Sequence, residues 1–147
     1  MREFELMSEN FSHLGRKSVL TSDQIAKPST ILDTFPNPRA GREFVVKFVF
    51  PEFTSMCPVT GQPDFATITL EYVPDGLCVE MKSLKLYFLA FRDKGIFYEA
   101  VANTVAEDLI GALKPKKLSV VADFAVRGGT AGIVTVRYDS VRGYVNE

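Results

Sequence analysis

Histidine and cysteine are scarce in this sequence of 147 residues, and tryptophan is absent. Because His13 is the only histidine, a catalytic triad that needs an imidazole, or a zinc site with several histidine ligands, is hard to build within one chain. The two cysteines, Cys57 and Cys78, form neither a disulfide framework nor a CxxC pair, which is typical of a reducing compartment. We therefore expect no metal site and no metal-dependent hydrolysis.

Neither sign of charge dominates, because the chain has 17 Lys and Arg in total and 18 Asp and Glu. A chain without a basic surplus is not expected to bind nucleic acid directly through many phosphates. No apolar run reaches the length of a membrane span, and the N-terminus lacks the apolar stretch of a signal peptide. With 46% hydrophobic and 24% charged residues, the composition predicts one soluble, cytoplasmic folding unit with no membrane partner.

Proline and glycine divide the first half of the chain. Residues 1–42 are polar and end in a stretch with several prolines and a glycine, so we expect an N-terminal arm before a single domain at 43–147. β-Branched and aromatic residues predict strands at 43–50 and 66–73. The segment between them, 51–65, is predicted to be a long connection, and a long connection in a small domain is often functional.

The second half of the chain changes from helical to strand periodicity. The alternation after residue 117 places Phe124 and Val126 on the same face of a strand. The predicted elements are helices at 82–92 and 98–113, the second ended by Pro115, and strands at 118–126 and 132–138, joined by a turn at Gly128-Gly129.

The order of two strands, two helices and two strands predicts an α+β fold. An antiparallel four-stranded sheet would carry both helices on one face. Such a sheet has two open edges, which proteins protect by pairing or covering. We therefore expect edge-to-edge pairing between subunits that closes a barrel on oligomerisation.

Cys57 is the first candidate for chemistry. It precedes Pro58 and lies close to Thr60, and Asp64 follows seven positions later. A cysteine thiolate is a nucleophile, and a nearby carboxyl group can supply a proton. The alternative is that Cys57 is a small buried apolar residue, which is the commoner fate of a lone cysteine.

The segment VEMKSLKLY is the second candidate. If a helix begins here, Lys82 and Lys85 lie three positions apart on one face and can meet a phosphate. Glu80 and Ser83 would lie in the opening turn, with Tyr87 beyond them. The alternative is a solvated face of an amphipathic helix.

Two further residues give weaker signals. Glu99 lies in the first turn of the predicted second helix, where a carboxylate stabilises the helix dipole without any ligand. The same carboxylate can accept two N–H bonds from the edge of a purine-like base. Arg127 precedes Gly128-Gly129 and can bind an anion, although a turn alone explains the glycines.

Three segments resemble one family in their order, their amino-acid sequence and their spacing. They read FPEFTSMCPVTGQPDFATI at 50–68, VEMKSLKLYFLAFRDKGIFYE at 79–99 and RGG at 127–129. These segments are similar to the NADPH-dependent nitrile reductases of queuosine biosynthesis, which act on 7-cyano-7-deazaguanine (preQ0), in their short single-module form. The resemblance runs from about residue 33 to 138 and implies the tunnelling fold, whose subunits form barrels with active sites between subunits.

The resemblance also implies a mechanism. In that family, the cysteine matching Cys57 adds to the nitrile carbon as a covalent thioimide, and two NADPH deliver hydrides to give the aminomethyl base preQ1. The resemblance assigns proton donation to Asp64 and anchoring of the deazapurine to Glu99, with Tyr98 and Ser83 also near the substrate. It implies a homodecamer of two stacked pentamers. The implied cofactor-binding residues are Glu80, Lys82, Ser83, Lys85, Tyr87 and Arg127.

Tyr98 departs from the family pattern, which usually has His-Glu where this chain has Tyr98-Glu99. The family's histidine assists substrate binding and proton movement. A tyrosine can donate a hydrogen bond, but with a reference pKa of about 10 it is a poor proton shuttle at neutral pH. The departure predicts an altered rate or specificity.

Two other functions compete with the reductase. A reductase-like amidinotransferase of archaeosine synthesis uses the same cysteine on preQ0 in tRNA, but it lacks the ExKSLKLY signature that this chain carries. A non-catalytic deazapurine-binding protein would accommodate Tyr98, but it would not require Cys57 and Asp64. The sequence therefore favours an NADPH-dependent nitrile oxidoreductase.

Overall fold

Two antiparallel sheets and two long helices make up an α+β fold in the computed structural model, which describes residues 11–15 and 19–147. Within these ranges no helix is long and apolar enough to cross a membrane. The strands are β1 (Thr34–Pro36), β2 (Val46–Met56), β3 (Pro63–Val73), β4 (Leu77–Val79), β5 (Lys117–Arg127), β6 (Thr130–Asp139) and β7 (Gly143–Val145). The helices are α1 (Ser22–Ala26), a short 3₁₀ helix (Pro28–Ile31), α2 (Met81–Leu89) and α3 (Tyr98–Leu113).

The main sheet has five strands in the order β2-β3-β5-β6-β7, and β1 pairs with β4 in a separate two-stranded sheet. The expectation of a four-stranded sheet is therefore wrong, and short strands interrupt the expected order of elements. The fifth strand forms because Asp139 accepts hydrogen bonds from the backbone N–H groups of Val141 and Arg142, which turns the chain back along β6. A strand of three residues is too short to show an alternating pattern in the sequence.

The connection predicted at 51–65 is mostly strand. β2 continues to Met56 and β3 begins at Pro63, so the turn between them spans only 57–62. The sequence pattern failed because a bulge between Phe50 and Phe53 shifts the alternation while the ladder with β3 continues.

A second bulge lies in β5, between Phe124 and Arg127. As a result, Phe124 is buried, whereas Val126, which was expected on the same face of the strand, is 69% exposed. The predicted hairpin is confirmed, because Gly128 and Gly129 both have positive φ angles and form the two-residue turn between β5 and β6. The two bulges flank Ala66 of β3 and so bend the same end of the sheet.

Both long helices pack against the sheet, and their buried faces meet its inward residues. The predicted second helix is confirmed with the same bounds, 98–113; Lys114 adopts a left-handed conformation after it and Pro115 prevents its continuation. The core includes Val101, Val105, Leu109 and Leu113 of α3, together with Ile68, Leu70, Val120 and Ala122 of the sheet.

Part of the expected arm packs into the domain. Residues 1–10 and 16–18 lie outside the described residues. Ile31 is fully buried in the core, and β1 pairs with β4. His13, expected in a polar arm, is also buried. The domain boundary expected at 42/43 stays a prediction. The described residues before it contribute to the same core as the residues after it.

Candidate active site

A cleft of about 270 Å³ lies where the β2–β3 turn, the start of α3 and the end of β5 meet. Five residues that the sequence singled out line it, and they come from three separate segments. They are Cys57, Asp64, Tyr98, Glu99 and Arg127.

The backbone of the β2–β3 turn fixes the position of Cys57. Its N–H donates to the carbonyl of Gln62 over 2.8 Å, and its carbonyl accepts from the N–H of Gly61 over 2.9 Å. Gly61 has a φ of +68°, a conformation that a residue with a Cβ rarely adopts, so the turn requires glycine here. The turn holds Cys57 half-exposed at the cleft.

The last residue of β2 joins this turn to the start of α3. The N–H of Met56 donates to the carbonyl of Lys94 over 2.9 Å, and its carbonyl accepts from the N–H of Ile96 over 3.0 Å. These two bonds place the segment before α3 beside Cys57. As a consequence, residues 96–99 form one wall of the cleft.

Asp64 is a buried carboxylate at the start of β3, only 4% exposed. Its Oδ1 accepts a hydrogen bond from the Tyr98 hydroxyl over 3.3 Å and forms an ion pair with Nη1 of Arg127. Directly across the ladder lies Ser55, which is fully buried and whose hydroxyl has no hydrogen-bond partner among the described residues.

Arg127 connects the β5–β6 hairpin to the turn that carries Cys57. Besides its bond to Asp64, the guanidinium donates through Nη2 to the Thr60 hydroxyl over 3.1 Å and to the Gln62 side chain over 3.0 Å. The hydrogen bond to Asp64 raises the pKa of Arg127, so the group is a permanent cation. The contacts of Thr60 and Gln62 with Arg127 were not predicted from the sequence, where their only signal is their place in the turn after Cys57.

The two cysteines have opposite electrostatic surroundings. The Thr60 hydroxyl lowers the pKa of the Cys57 thiol, with help from the backbone N–H groups of Thr60 and Val59 and, to a smaller extent, the charge of Arg127. Burial instead raises the pKa of Cys78. A thiolate is the reactive form of cysteine, so Cys57 is the candidate nucleophile and Cys78 is not.

The ring of Tyr98 packs between the sheet and the cleft. It stacks on Phe124 with ring centroids 3.7 Å apart and planes 5° from parallel. A Cβ on Gly132 would come within 3.2 Å of the ring, so glycine at that position leaves room for it. Burial and the neighbouring Asp64 raise the pKa of Tyr98, and its neutral hydroxyl can donate to Asp64 at physiological pH.

The first turn of α2 uses its polar side chains internally. Glu80 precedes the helix, and its carboxylate accepts from the N–H groups of Lys82 and Ser83, each over 2.7 Å. The Ser83 hydroxyl donates to the carbonyl of Glu80 over 2.8 Å and accepts from the N–H of Asp33 over 2.9 Å. Both Glu80 and Ser83 are buried, and their contacts cap the helix and attach it to the segment before β1.

The other three residues of this segment differ in exposure. Tyr87 is fully buried and donates to Asp108 over 2.7 Å, and burial raises its pKa well above the ordinary value. Lys82 is half-exposed and donates to the carbonyl of His13 over 2.6 Å, whereas Lys85 is exposed. None of the described cofactor candidates on α2 lines the Cys57 cleft.

A larger cavity of about 350 Å³ lies at the other end of the sheet. Its walls include Glu71, Lys117 and Arg137, and none of the predicted catalytic residues. Volume alone therefore does not identify the site, and the chemistry of Cys57 and Asp64 points to the smaller cleft.

Comparison with known proteins identifies the relatives of this chain. A family model described as QueF-like protein matches residues 63–142. The NADPH-dependent 7-cyano-7-deazaguanine reductase of Anaeromyxobacter dehalogenans is 58% identical over 112 residues, which cover 76% of this chain and 92% of that protein. The protein of the same name from Alkalilimnicola ehrlichii is 58% identical over 103 residues, or 70% of this chain and 80% of that protein.

A solved structure shares the fold at low sequence identity. The apo form of the archaeosine synthase QueF-Like superposes with a TM-score of 0.60 at 22% identity, covering 63% of this chain and 91% of the other. Since identity to the reductases is high and the family model matches more than half of the chain, the chain belongs to the QueF-like family, with the NADPH-dependent 7-cyano-7-deazaguanine reductases as its relatives.

Proposed function

We propose that this chain reduces the nitrile of preQ0 to the aminomethyl group of preQ1 with NADPH, in the cytoplasm, as a step of queuosine biosynthesis. The names of the similar reductases support the substrate and the cofactor. The observation that carries the chemistry is one cleft that holds both a thiol of lowered pKa and a buried carboxylate. The Arg127 guanidinium binds this carboxylate and also Thr60, in the turn that carries the thiol.

In the first step, the Cys57 sulfur forms a bond to the nitrile carbon. The electron pair of the broken π bond moves to the nitrile nitrogen, which takes a proton from Asp64 and gives a thioimide. That proton is the one that the Cys57 thiol loses when it becomes a thiolate, so the addition needs no proton from outside the cleft. Tyr98 and Arg127 keep Asp64 in place.

Glu99 and Phe97 are suited to bind the deazapurine. The exposed carboxylate of Glu99 can accept two N–H bonds from the edge of the base. Phe97 lines the same cleft and is 58% exposed, which offers an aromatic surface to the flat ring system. Tyr98 differs from Phe97 in its role at the site, because its ring already stacks on Phe124.

On the surface of α2, the lysines are the groups suited to bind the phosphates of NADPH. NADPH supplies hydride when bound, and reduction of a nitrile to an amine consumes two hydrides. The Glu80 carboxylate already occupies the N–H groups that open the helix, so a phosphate would meet Lys82 and Lys85. Glu80, Ser83 and Tyr87 support the helix that presents these lysines, while Arg127 lies in the cleft.

The separation between the cleft residues and the α2 lysines supports an assembly of several subunits. A cleft of this size leaves a bound base open to solvent, and the α2 lysines do not line it. We infer that a second copy completes the site in a homodecamer of two stacked pentamers, with the tunnelling-fold barrel closed by the edges of β2 and β6. β7 covers only residues 137–139 of the β6 edge, which leaves the rest open to a neighbour. Light scattering should give about ten times 16.3 kDa, and a monomer active at nanomolar concentration would contradict this assembly.

Intact mass spectrometry tests the nucleophile. Adding preQ0 without NADPH should increase the mass by one preQ0 per chain, and Cys57→Ala should abolish the increase. Cys78→Ala is the matched control and should keep the adduct, because the Cys78 thiol is buried.

NADPH absorbance tests the reduction itself. The wild-type protein should consume two NADPH for each preQ0 converted. An adduct that survives Cys57→Ala would overturn the role of Cys57. Adduct formation without any NADPH oxidation would instead support an amidinotransferase or a binding protein.

A further inference from the structure

We propose that Asp33 is a positioning residue for the cofactor, because it anchors the segment 11–15, called the strap from here on, and the strap holds the ammonium group of Lys82. The inference deepens the proposed function and rests on Lys82 meeting a phosphate of NADPH. It assigns a role in cofactor binding to a part of the chain that was expected to be a polar arm before the domain.

Two side chains anchor the strap to the domain. Phe11 is 6% exposed and meets the ring of Phe35 edge-on, with the ring centroids 6.1 Å apart. Ser12 binds both carboxylate oxygens of Asp33, through its backbone N–H over 2.8 Å and through its hydroxyl over 2.9 Å. A paired contact of this kind fixes direction as well as position. The carbonyl of the next residue, His13, therefore has a defined place.

Asp33 also joins the strap to the first turn of α2. Its side chain binds the strap, whereas its backbone N–H donates to the Ser83 hydroxyl and its carbonyl accepts from the N–H of Glu80, each over 2.9 Å. One residue thus fixes the strap and the start of α2 relative to each other. Across this junction, Nζ of Lys82 donates to the carbonyl of His13 over 2.6 Å.

This contact prepares Lys82 to bind a phosphate. A lysine side chain is flexible, and fixing it when a ligand binds costs conformational entropy. The bond to the His13 carbonyl fixes the side chain before the ligand arrives, and a carbonyl does not neutralise the ammonium group. Lys82 stays half-exposed, so the strap leaves it accessible to a ligand. Preorganisation of this kind increases affinity because less ordering remains to be done on binding.

Titration of NADPH without preQ0, followed by the fluorescence of the cofactor, tests the inference. Asp33→Ala removes both acceptors of Ser12 but keeps the backbone bonds of residue 33 to α2. It should raise Kd for NADPH about fivefold. Phe11→Ala releases the strap at its other anchor with Asp33 intact and should give a similar rise. The rate of preQ0 adduct formation should match wild type in both variants, which shows that they are folded.

Two variants control for charge and for hydrogen bonding. Asp93→Ala removes the same charge at an exposed position in the turn after α2 and should leave Kd unchanged. Asp33→Asn keeps one oxygen that accepts from the Ser12 N–H and gains an amide that donates to the Ser12 hydroxyl. It should therefore restore a Kd close to that of wild type, and a Kd equal to that of Asp33→Ala would count against the anchor.

Double variants show whether the effect passes through Lys82. In the Lys82→Ala background, Asp33→Ala should raise Kd no further, because no ammonium group is left for the strap to hold. In the Lys85→Ala background, Asp33→Ala should still raise Kd about fivefold. A general distortion of α2 would act in both backgrounds, so equal rises in the two would overturn the proposal.

Hydrogen exchange of the strap gives a second readout that does not depend on activity. By linkage, if the attached strap favours NADPH, then NADPH stabilises the attached strap by the same factor. NADPH should therefore slow amide exchange in a peptide that covers 11–15 by about fivefold in wild type, and should have no such effect in Lys82→Ala. Faster exchange with NADPH would show that the cofactor displaces the strap, which would overturn the proposal.

The outcomes distinguish this inference from the proposed function. Equal Kd values for wild type, Asp33→Ala and Phe11→Ala would overturn the role of the strap, even if wild type reduces preQ0. NADPH binding that depends on the strap, in a protein that never converts preQ0, would support the strap and refute the nitrile reduction. A wild-type protein that does not bind NADPH would refute both.

Discussion

The Cys57 cleft and the first turn of α2 are both rich in polar residues, but they use them in different ways. In the cleft, Asp64 and Arg127 bind each other across segments far apart in sequence. Ser55, opposite Asp64 in the ladder of β2 and β3, is buried without a hydrogen-bond partner among the described residues. In α2, Glu80 and Ser83 satisfy neighbouring backbone groups.

The difference shows that a contiguous motif is not necessarily a contiguous surface. Three of the five candidate residues in the α2 segment are buried and form the support that presents two lysines. The cleft instead brings together reactive groups from separate segments, so their contacts depend on the tertiary structure. Burying such polar groups lowers the free energy of unfolding unless they are fully hydrogen-bonded. The predictions below test this contrast with matched substitutions in the two regions.

The largest effect is expected from removing the acidic function of Asp64. Asp64→Asn cannot give a proton to the nitrile nitrogen, so turnover should fall by a factor of about 100 or more. Asp108→Asn is the matched control, because Asp108 also accepts from a tyrosine, Tyr87, but lies outside the cleft. Steady-state rates should show the loss only in the first variant, and equal losses in both would contradict the division of roles.

Two fully buried serines give the next comparison. Ser83 has two partners, so Ser83→Ala should lower the free energy of unfolding by about 2 kcal/mol. Ser55 has none among the described residues, so Ser55→Ala should raise it by about 1 kcal/mol. Urea unfolding at one fixed protein concentration measures both. If the two changes have the same sign, the contrast between the regions is wrong.

Lys85 should affect cofactor use but not the covalent step. Because its side chain is exposed and can contribute uniform binding of a phosphate, Lys85→Ala should raise KM for NADPH about tenfold with kcat little changed. Adduct formation with preQ0 and the Tm should match wild type. A loss of adduct formation in the folded variant would refute the cofactor role.

Tyr98 is expected to give the smallest effect. Tyr98→Phe keeps the stack on Phe124 and removes only one of the two side chains that, among the described residues, donate to Asp64. We therefore expect kcat to fall about threefold with KM for preQ0 unchanged. A clear rise in KM would instead show that the hydroxyl contacts the base. Tyr98→His tests whether an imidazole, which titrates near neutral pH, delivers protons faster than the phenol does.

The sequence predicted α3 with its observed bounds and the β5–β6 hairpin, because helical periodicity, Pro115 and the glycine pair act locally. It missed the extension of β2 to Met56 and placed Val126 on the same face of the strand as Phe124, which is buried whereas Val126 is exposed. Both errors come from bulges, which shift an alternating pattern by one residue without ending the strand. β7 was missed because three residues carry no periodicity.

For the site, the residue types in the sequence by themselves determined which chemistry is available: a cysteine, a carboxylate and no imidazole near them. The tertiary structure decided which groups meet. The bulge in β5 precedes the contacts of Arg127 with Asp64 and Thr60, and the bond of Met56 to Lys94 brings the start of α3 beside Cys57. Such contacts join residues more than 35 positions apart, and no local pattern in the sequence encodes them, because they depend on how the strands pair.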